Sequence, residues 1–116
     1  MLDKILELEN SLFKLEYMSN KEYLDNIIDD NYKELGKSGK LFTKQDVIND
    51  LLNQQSDRDI TIYDFSGEEL SNDLWLVHYI TYSNDNKIYR TSIWKNGKIL
   101  FHQASEYKDD IDLMRS

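Results

Sequence analysis

Four side chains beside one predicted turn have the chemistry of a pocket wall. Asn96-Gly97 is flanked by two alternating runs, and such a pair favours a type I′ hairpin because both turn residues tolerate a positive φ. A two-residue loop predicts these cross-strand pairs: Trp94 with Ile99, Ser92 with Phe101, Arg90 with Gln103 and, on the other face, Thr91 with His102. One face then presents Arg90, Ser92, Trp94 and Gln103, which is unlike an ordinary apolar core face.

Composition limits the classes of function. The chain has 116 residues, enough for one domain, and a net charge of −8, which argues against nucleic acid as a partner. It has no cysteine, so disulfides, thiol nucleophiles and cysteine zinc sites are excluded. We expect no membrane association and a cytoplasmic location, because no segment resembles a signal peptide or a membrane span. We also expect no cofactor and no metal, since His78 and His102 lack a carboxylate at ligand spacing.

Hydrophobic periodicity predicts helices followed by antiparallel strands. The predicted helices cover residues 2–17, a segment opened by a Ser19–Glu22 capping box, and a segment opened by Thr43 with Asp46. The predicted strands are 31–36, 40–42, 59–68, 73–83, 87–95 and 98–106. A second two-residue turn at Asp85-Asn86 predicts three pairs: Tyr79 with Ser92, Thr81 with Arg90 and Val77 with Trp94. This order predicts an α+β fold with one domain over residues 1–107 and an acidic, frayed tail over 108–116.

Four short motifs follow one another along the chain. They are Tyr32-x-Glu34-x-Gly36-x-Ser38-Gly39, Leu76-Val77-His78-Tyr79, Arg90-x-Ser92-x-Trp94 and Phe101-His102-Gln103. Together they resemble the nuclear transport factor 2-like superfamily, the cone fold shared with ketosteroid isomerase and SnoaL-type cyclases. The nearest likeness is to a small, uncharacterised bacterial single-domain branch. It extends to Ser105, with one departure, because Ala104-Ser105 replaces the branch's Gly-Thr.

The resemblance implies N-terminal helices packed on a curved antiparallel sheet, with a pocket inside the cone. It also implies a homodimer through the outer sheet face, where the predicted register places Ile80, Tyr82, Tyr89, Ile93 and Leu100. It implies no particular activity, because this fold carries both enzymes and binding proteins.

Arg90 is the first candidate for a functional residue, because a guanidinium in mid-strand needs a partner if it is buried. The resemblance puts the strand of Glu34 at the pocket mouth. Arg90 could therefore anchor an anion, with Glu34 as counter-charge or general base. Alternatively, Arg90 and Glu34 could form a structural ion pair.

The other candidate ligand-binding residues are Tyr32, Tyr79, Ser92, Trp94, His102 and Gln103. The aromatic side chains could line an apolar pocket or simply belong to the core. Ser92 and Gln103 could orient a ligand carbonyl or satisfy each other. Under the predicted register, His102 reaches the pocket only if the cone has the opposite orientation.

Three functions stay open from the sequence. The first is a binding domain for a small anionic or carbonyl-bearing ligand. The second is an isomerase, dehydratase or hydrolase that uses Glu34 as its base and Tyr79 as a hydrogen-bond donor. The third is an acidic interaction or immunity protein with a basic protein partner.

Overall fold

The computed structural model describes residues 1–108, so most of the predicted tail, residues 109–116, lies outside the described residues. The elements are α1 (Leu2–Ser11), α2 (Leu15–Met18), α3 (Lys21–Ile27), β1 (Ile28–Leu35), β2 (Leu41–Thr43), α4 (Lys44–Leu52), β3 (Thr61–Ser71), β4 (Leu74–Ser83), β5 (Asn86–Lys95) and β6 (Lys98–Glu106). The predicted α+β class is confirmed. No helix in this part of the chain is long and apolar enough to cross a bilayer.

The predicted first helix is wrong in its length, because α1 ends at Ser11 rather than at residue 17. The Ser11 hydroxyl donates to the carbonyl of Leu8 at 2.6 Å. The chain then turns and buries Phe13 against Ile62 and Tyr79 in a small satellite core. Burial of this ring outweighs continuation of the helix, which would carry Phe13 along the α1 axis.

The predicted caps are right in one case and wrong in the other. Thr43 and Asp46 form a reciprocal capping box at the start of α4, as predicted. At α3 the cap is Asn20 instead of Ser19, and its side-chain oxygen accepts from the Tyr23 backbone N–H at 3.1 Å. The Ser19 hydroxyl instead donates back to the carbonyl of Leu15.

The six strands form one sheet in the order β2-β1-β6-β5-β4-β3. β1 pairs parallel to β6, and the other neighbours are antiparallel. The helices cover one face of this sheet. The main core between the two layers includes Ile5, Met18, Leu24, Ile48, Val77 and Trp94.

A glycine permits the close approach of α1 to the sheet. A Cβ on Gly67 in β3 would lie 2.7 Å from Val77 Cγ1 and 2.9 Å from Leu2 Cδ1. A larger residue at this position would therefore force the Val77 and Leu2 side chains to shift.

The predicted β4–β5 register is wrong by two residues. The turn uses Asn84 and Asp85, with φ values of 50° and 63°, instead of Asp85-Asn86. Arg90 consequently pairs with Tyr79 rather than with Thr81. Because side chains alternate with a period of two, this shift leaves the predicted faces unchanged.

The predicted β5–β6 register holds only beside the turn. Asn96 and Gly97 form it with φ values of 51° and 79°, and Trp94 pairs with Ile99 as predicted. Beyond this point a bulge adds Leu100 to β6, so that Ile93 pairs with Phe101.

The bulge makes the remaining predicted pairs wrong. Ser92 pairs with His102, Arg90 with Ala104 and Thr91 with Gln103. A one-residue shift exchanges the two faces of a strand. His102 therefore faces the helices, whereas Gln103 is exposed.

Candidate functional site

A cavity of about 320 Å³ lies between the sheet and the helices. Its floor includes Glu9 and Tyr79, its walls include Tyr32 and His102, and Arg58 lines it together with Arg90. The apolar part of the lining comes from Leu12, Phe13, Ile28, Val47, Leu51, Ile99 and Ala104. The cavity thus combines an apolar part with a comparable number of charged and polar side chains, which also include Glu34, Lys37 and Asp50.

Glu9 is a buried carboxylate at the inner end of this cavity, with 2% of its surface exposed. The Tyr79 hydroxyl donates to Glu9 Oε1 at 2.6 Å, and Trp94 Nε1 donates to Oε2 at 2.9 Å. Burial raises the pKa of Glu9, while the hydrogen bonds from Ser92, Tyr79 and Trp94 oppose this rise by stabilising the carboxylate. Burial and the neighbouring Glu9 charge raise the pKa of Tyr79 well above its ordinary value, so this phenol stays a donor.

A chain of polar side chains runs from Glu9 towards the sheet edge. Ser92 Oγ lies 2.7 Å from His102 Nδ1, and Arg90 Nη1 lies 3.3 Å from His102 Nε2. Arginine can only donate, so Nε2 accepts and the imidazole proton is assigned to Nδ1, which donates to Ser92. The Ser92 hydroxyl hydrogen is then available to Glu9.

His102 is held neutral in this arrangement. It is 5% exposed, and burial together with the charges of Arg90 and Arg58 lowers its pKa from 6.5 to about 3. A protonated ring would lose its acceptor at Nε2 and face the Arg90 guanidinium.

The predicted Arg90–Glu34 ion pair is wrong. Arg90 Nε donates to Thr81 Oγ1 at 2.9 Å and Nη1 donates to His102. Glu34 instead accepts from the Tyr32 hydroxyl at 2.7 Å. Within residues 1–108, no carboxylate comes within 4 Å of the Arg90 guanidinium, and Nη2 has no hydrogen-bond partner there.

The structure brings most of the sequence candidates together. Tyr32, Glu34, Tyr79, Arg90 and His102 line the cavity. Ser92 and Trp94 are fully buried and do not line the cavity. Ser92 hydrogen-bonds His102, and Trp94 donates to Glu9, so both hold residues that do line it. Gln103 lies outside the cavity because of the bulge.

Sequence reasoning missed Glu9 and Arg58. Glu9 follows Ile5 by four residues and precedes Leu12 by three, so it occupies the apolar stripe of the first helix. A carboxylate on such a stripe signals a buried polar site. Arg58 carried no such signal, since it belongs to an irregular segment that folds back when its N–H donates to the Phe13 carbonyl at 2.8 Å.

Comparison with solved structures gives matches at low sequence identity. A nuclear transport factor 2-like protein from Cytophaga hutchinsonii is 19% identical, with 90% of this chain and 97% of that chain covered and a TM-score of 0.73. A nuclear transport factor 2-like protein of unknown function from Prochlorococcus sp. NATL2A is 16% identical, with coverages of 93% and 94% and a TM-score of 0.67. An uncharacterised protein with a cystatin-like fold from Caulobacter vibrioides is 10% identical, with coverages of 93% and 90% and a TM-score of 0.60.

The chain has a nuclear transport factor 2-like fold. The fold that the sequence motifs predicted is therefore confirmed. No family model and no curated protein matches the sequence. The homodimer that the resemblance implied for this fold stays a prediction.

The neutral state of His102 makes the stability of this nuclear transport factor 2-like domain depend on pH. Below pH 6.5 the unfolded chain takes up a proton on this residue, whereas the folded protein does so only near pH 3. The free energy of unfolding should therefore fall by about 3 kcal/mol between pH 7 and pH 4 through His102 alone. Urea unfolding followed by tryptophan fluorescence measures this loss.

His102→Gln should lose less stability over the same range, and His78→Gln is the matched control because His78 bonds only Thr91 outside the cavity network. Glu9 contributes in the opposite sense, since its raised pKa favours the folded state at low pH. Glu9 is present in wild type and in both variants, and Gln at position 102 can still donate to Ser92, so the difference between wild type and His102→Gln reports chiefly on the imidazole. An acid sensitivity that is the same in His102→Gln as in wild type would contradict a buried neutral imidazole.

Proposed function

We propose that the cone cavity binds a small organic molecule through a carboxylate or carbonyl oxygen placed at Arg90. One observation supports this most: two guanidinium groups, Arg58 and Arg90, line the same cavity, and the described residues offer neither a carboxylate within 4 Å. Partial desolvation and the charge of Arg90 both lower the pKa of Arg58, which indicates that the two cations repel each other. A ligand oxygen between them would relieve this repulsion.

Arg90 is already oriented for such a ligand. Thr81 and His102 accept from its Nε and Nη1, so two of the three guanidinium nitrogens are fixed by the protein. The remaining nitrogen, Nη2, has no partner among residues 1–108 and would donate to the ligand. A donor held in place before binding loses little conformational entropy when the ligand arrives, which favours affinity.

The volume of the cavity agrees with a small ligand. A space of about 320 Å³ is near the lower end of the range for small-molecule sites. Phe13, Leu51 and Ile99 supply apolar contact opposite the polar groups. A compact acid or ketone therefore fits both the size and the chemistry.

The proposal predicts that Arg90→Gln weakens binding of small carboxylates and ketones at least tenfold, because a charge-assisted hydrogen bond is lost. Isothermal titration calorimetry with butyrate, benzoate and cyclohexanone measures the effect. Arg58→Gln should weaken the two acids more than the ketone.

The matched control is Lys33→Gln, which removes one positive charge from an exposed position of β1. It should leave binding unchanged. Circular dichroism checks that each variant is folded. Equal affinity in wild type and in folded Arg90→Gln would contradict the proposal.

A second candidate function is proton transfer on the bound molecule, and the buried Glu9 favours it. A buried carboxylate with a raised pKa at the floor of the cavity suits a general base. Glu9 would accept a proton from the carbon next to the ligand carbonyl, while Arg90 would stabilise the oxygen that gains the negative charge. This places the base at Glu9, where the sequence hypothesis had chosen Glu34.

Hydrogen–deuterium exchange of bound ketones in D₂O, followed by NMR, tests this second function. Exchange should be faster with wild type than without protein and should disappear in Glu9→Gln. Glu34→Gln is the control and should keep the exchange. Loss of exchange in Glu34→Gln alone would move the base to Glu34, and no acceleration by wild type would contradict proton transfer altogether.

A further inference from the structure

We infer that the ligand is an elongated carboxylic acid whose apolar chain leaves the cone and lies in a groove between β2 and α4. This inference rests on the proposed function, because it takes Arg90 as the site of the carboxylate. It adds the class of molecule, an acid with an apolar chain longer than the cone can hold, and a second binding region outside the cone.

The groove adjoins the cone cavity. It has a volume of about 700 Å³, roughly twice that of the cone. Glu34, Val47, Asp50, Leu51 and Arg58 line both spaces. The two spaces therefore lie side by side, with Arg58 at their boundary, and one elongated molecule could contact both.

The groove has an apolar wall where a ligand chain would lie. Leu41 and Phe42 of β2 form one side, and Val47 and Leu51 of α4 form the other. Leu41 is 61% exposed, which makes it one of the few large apolar side chains left in solvent among the described residues. An apolar chain along this wall would cover it and gain the usual hydrophobic stabilisation.

Charge around the two spaces places the acid in the cone rather than in the groove. Glu34, Asp50 and Arg58 line both spaces and do not distinguish them. Of the charged groups that line only one space, the groove has Asp46 and Lys40, whereas the cone has Glu9, Lys37 and Arg90 and so carries one more positive charge. Arg90 lines only the cone, and Arg58 lies where cone and groove meet. A molecule with a single carboxylate at Arg90 and an uncharged chain in the groove therefore fits the charges of both spaces.

A series of straight-chain acids tests the inference by calorimetry: acetate, butyrate, hexanoate and octanoate, each below its micelle concentration. In wild type, each added methylene that reaches the groove should lower Kd by up to about fourfold. Leu41→Ser should raise the Kd of octanoate several-fold and leave that of acetate unchanged. Asn49→Trp, which fills the groove from an exposed position of α4, should do the same by steric exclusion.

The matched control is Leu70→Ser, since Leu70 is 52% exposed on β3 and lines neither space. It should bind the whole series as wild type does. Light scattering measures the oligomeric state of each variant, because a second copy of the chain is the competing occupant of this exposed apolar groove.

The outcomes separate this inference from the proposed function. If short acids bind through Arg90 but Kd does not change with chain length, the groove inference is wrong and the proposed function stands. If Leu41→Ser converts a dimer into a monomer without changing acid affinity, the groove is a protein contact and the inference is overturned. If no acid of the series binds but cyclohexanone does, this inference is overturned and the proposed function stands; if neither the acids nor the ketone binds, both are overturned.

Discussion

The buried carboxylate of Glu9 is the interaction on which the arrangement of the cone depends. Two of its hydrogen-bond donors, Tyr79 and Trp94, come from two sheet strands and lie 70 and 85 residues further along the chain. A carboxylate in a protein interior is costly unless it is fully hydrogen-bonded, and here neutral donors satisfy it without a direct ion pair. Helix α1 is consequently tied to β4 and β5, and the floor of the cavity is fixed by the same contacts.

The orientations of Ser92, His102 and Arg90 also depend on the buried Glu9 carboxylate. Ser92 serves both Glu9 and His102, and His102 in turn accepts from Arg90. Each group fixes the donor direction of the next, so the guanidinium lines the cavity with one nitrogen, Nη2, that no residue between 1 and 108 accepts from. The bulge at Leu100 is essential to this chain, because without it His102 would face the opposite side of the sheet. An irregularity of one residue in β6 thus decides the chemistry of the pocket wall.

Local signals were enough to predict the α+β order, the Asn96-Gly97 turn and the face of β5 that carries Arg90. They failed where a distant contact decided the outcome. The first helix is shorter than its periodicity predicts because burial of Phe13 takes precedence. A bulge has no sequence signature here, so the partners of Ser92 and Arg90 on β6 were wrong. Glu9 was missed because the first helix contains several other acidic residues, although its position on the apolar stripe of that helix indicates a buried carboxylate.

The pKa of Glu9 tests the central claim most directly. Carbon-13 NMR of the side-chain carboxyl, assigned by comparison with Glu9→Gln, gives this value in the intact protein. Burial at the floor of the cone predicts a pKa above the ordinary value of 4.5. It also predicts that Trp94→Phe, which removes one donor to the carboxylate, raises the value further. A pKa at or below 4.5 in wild type would contradict a desolvated Glu9 and, with it, the account of the site.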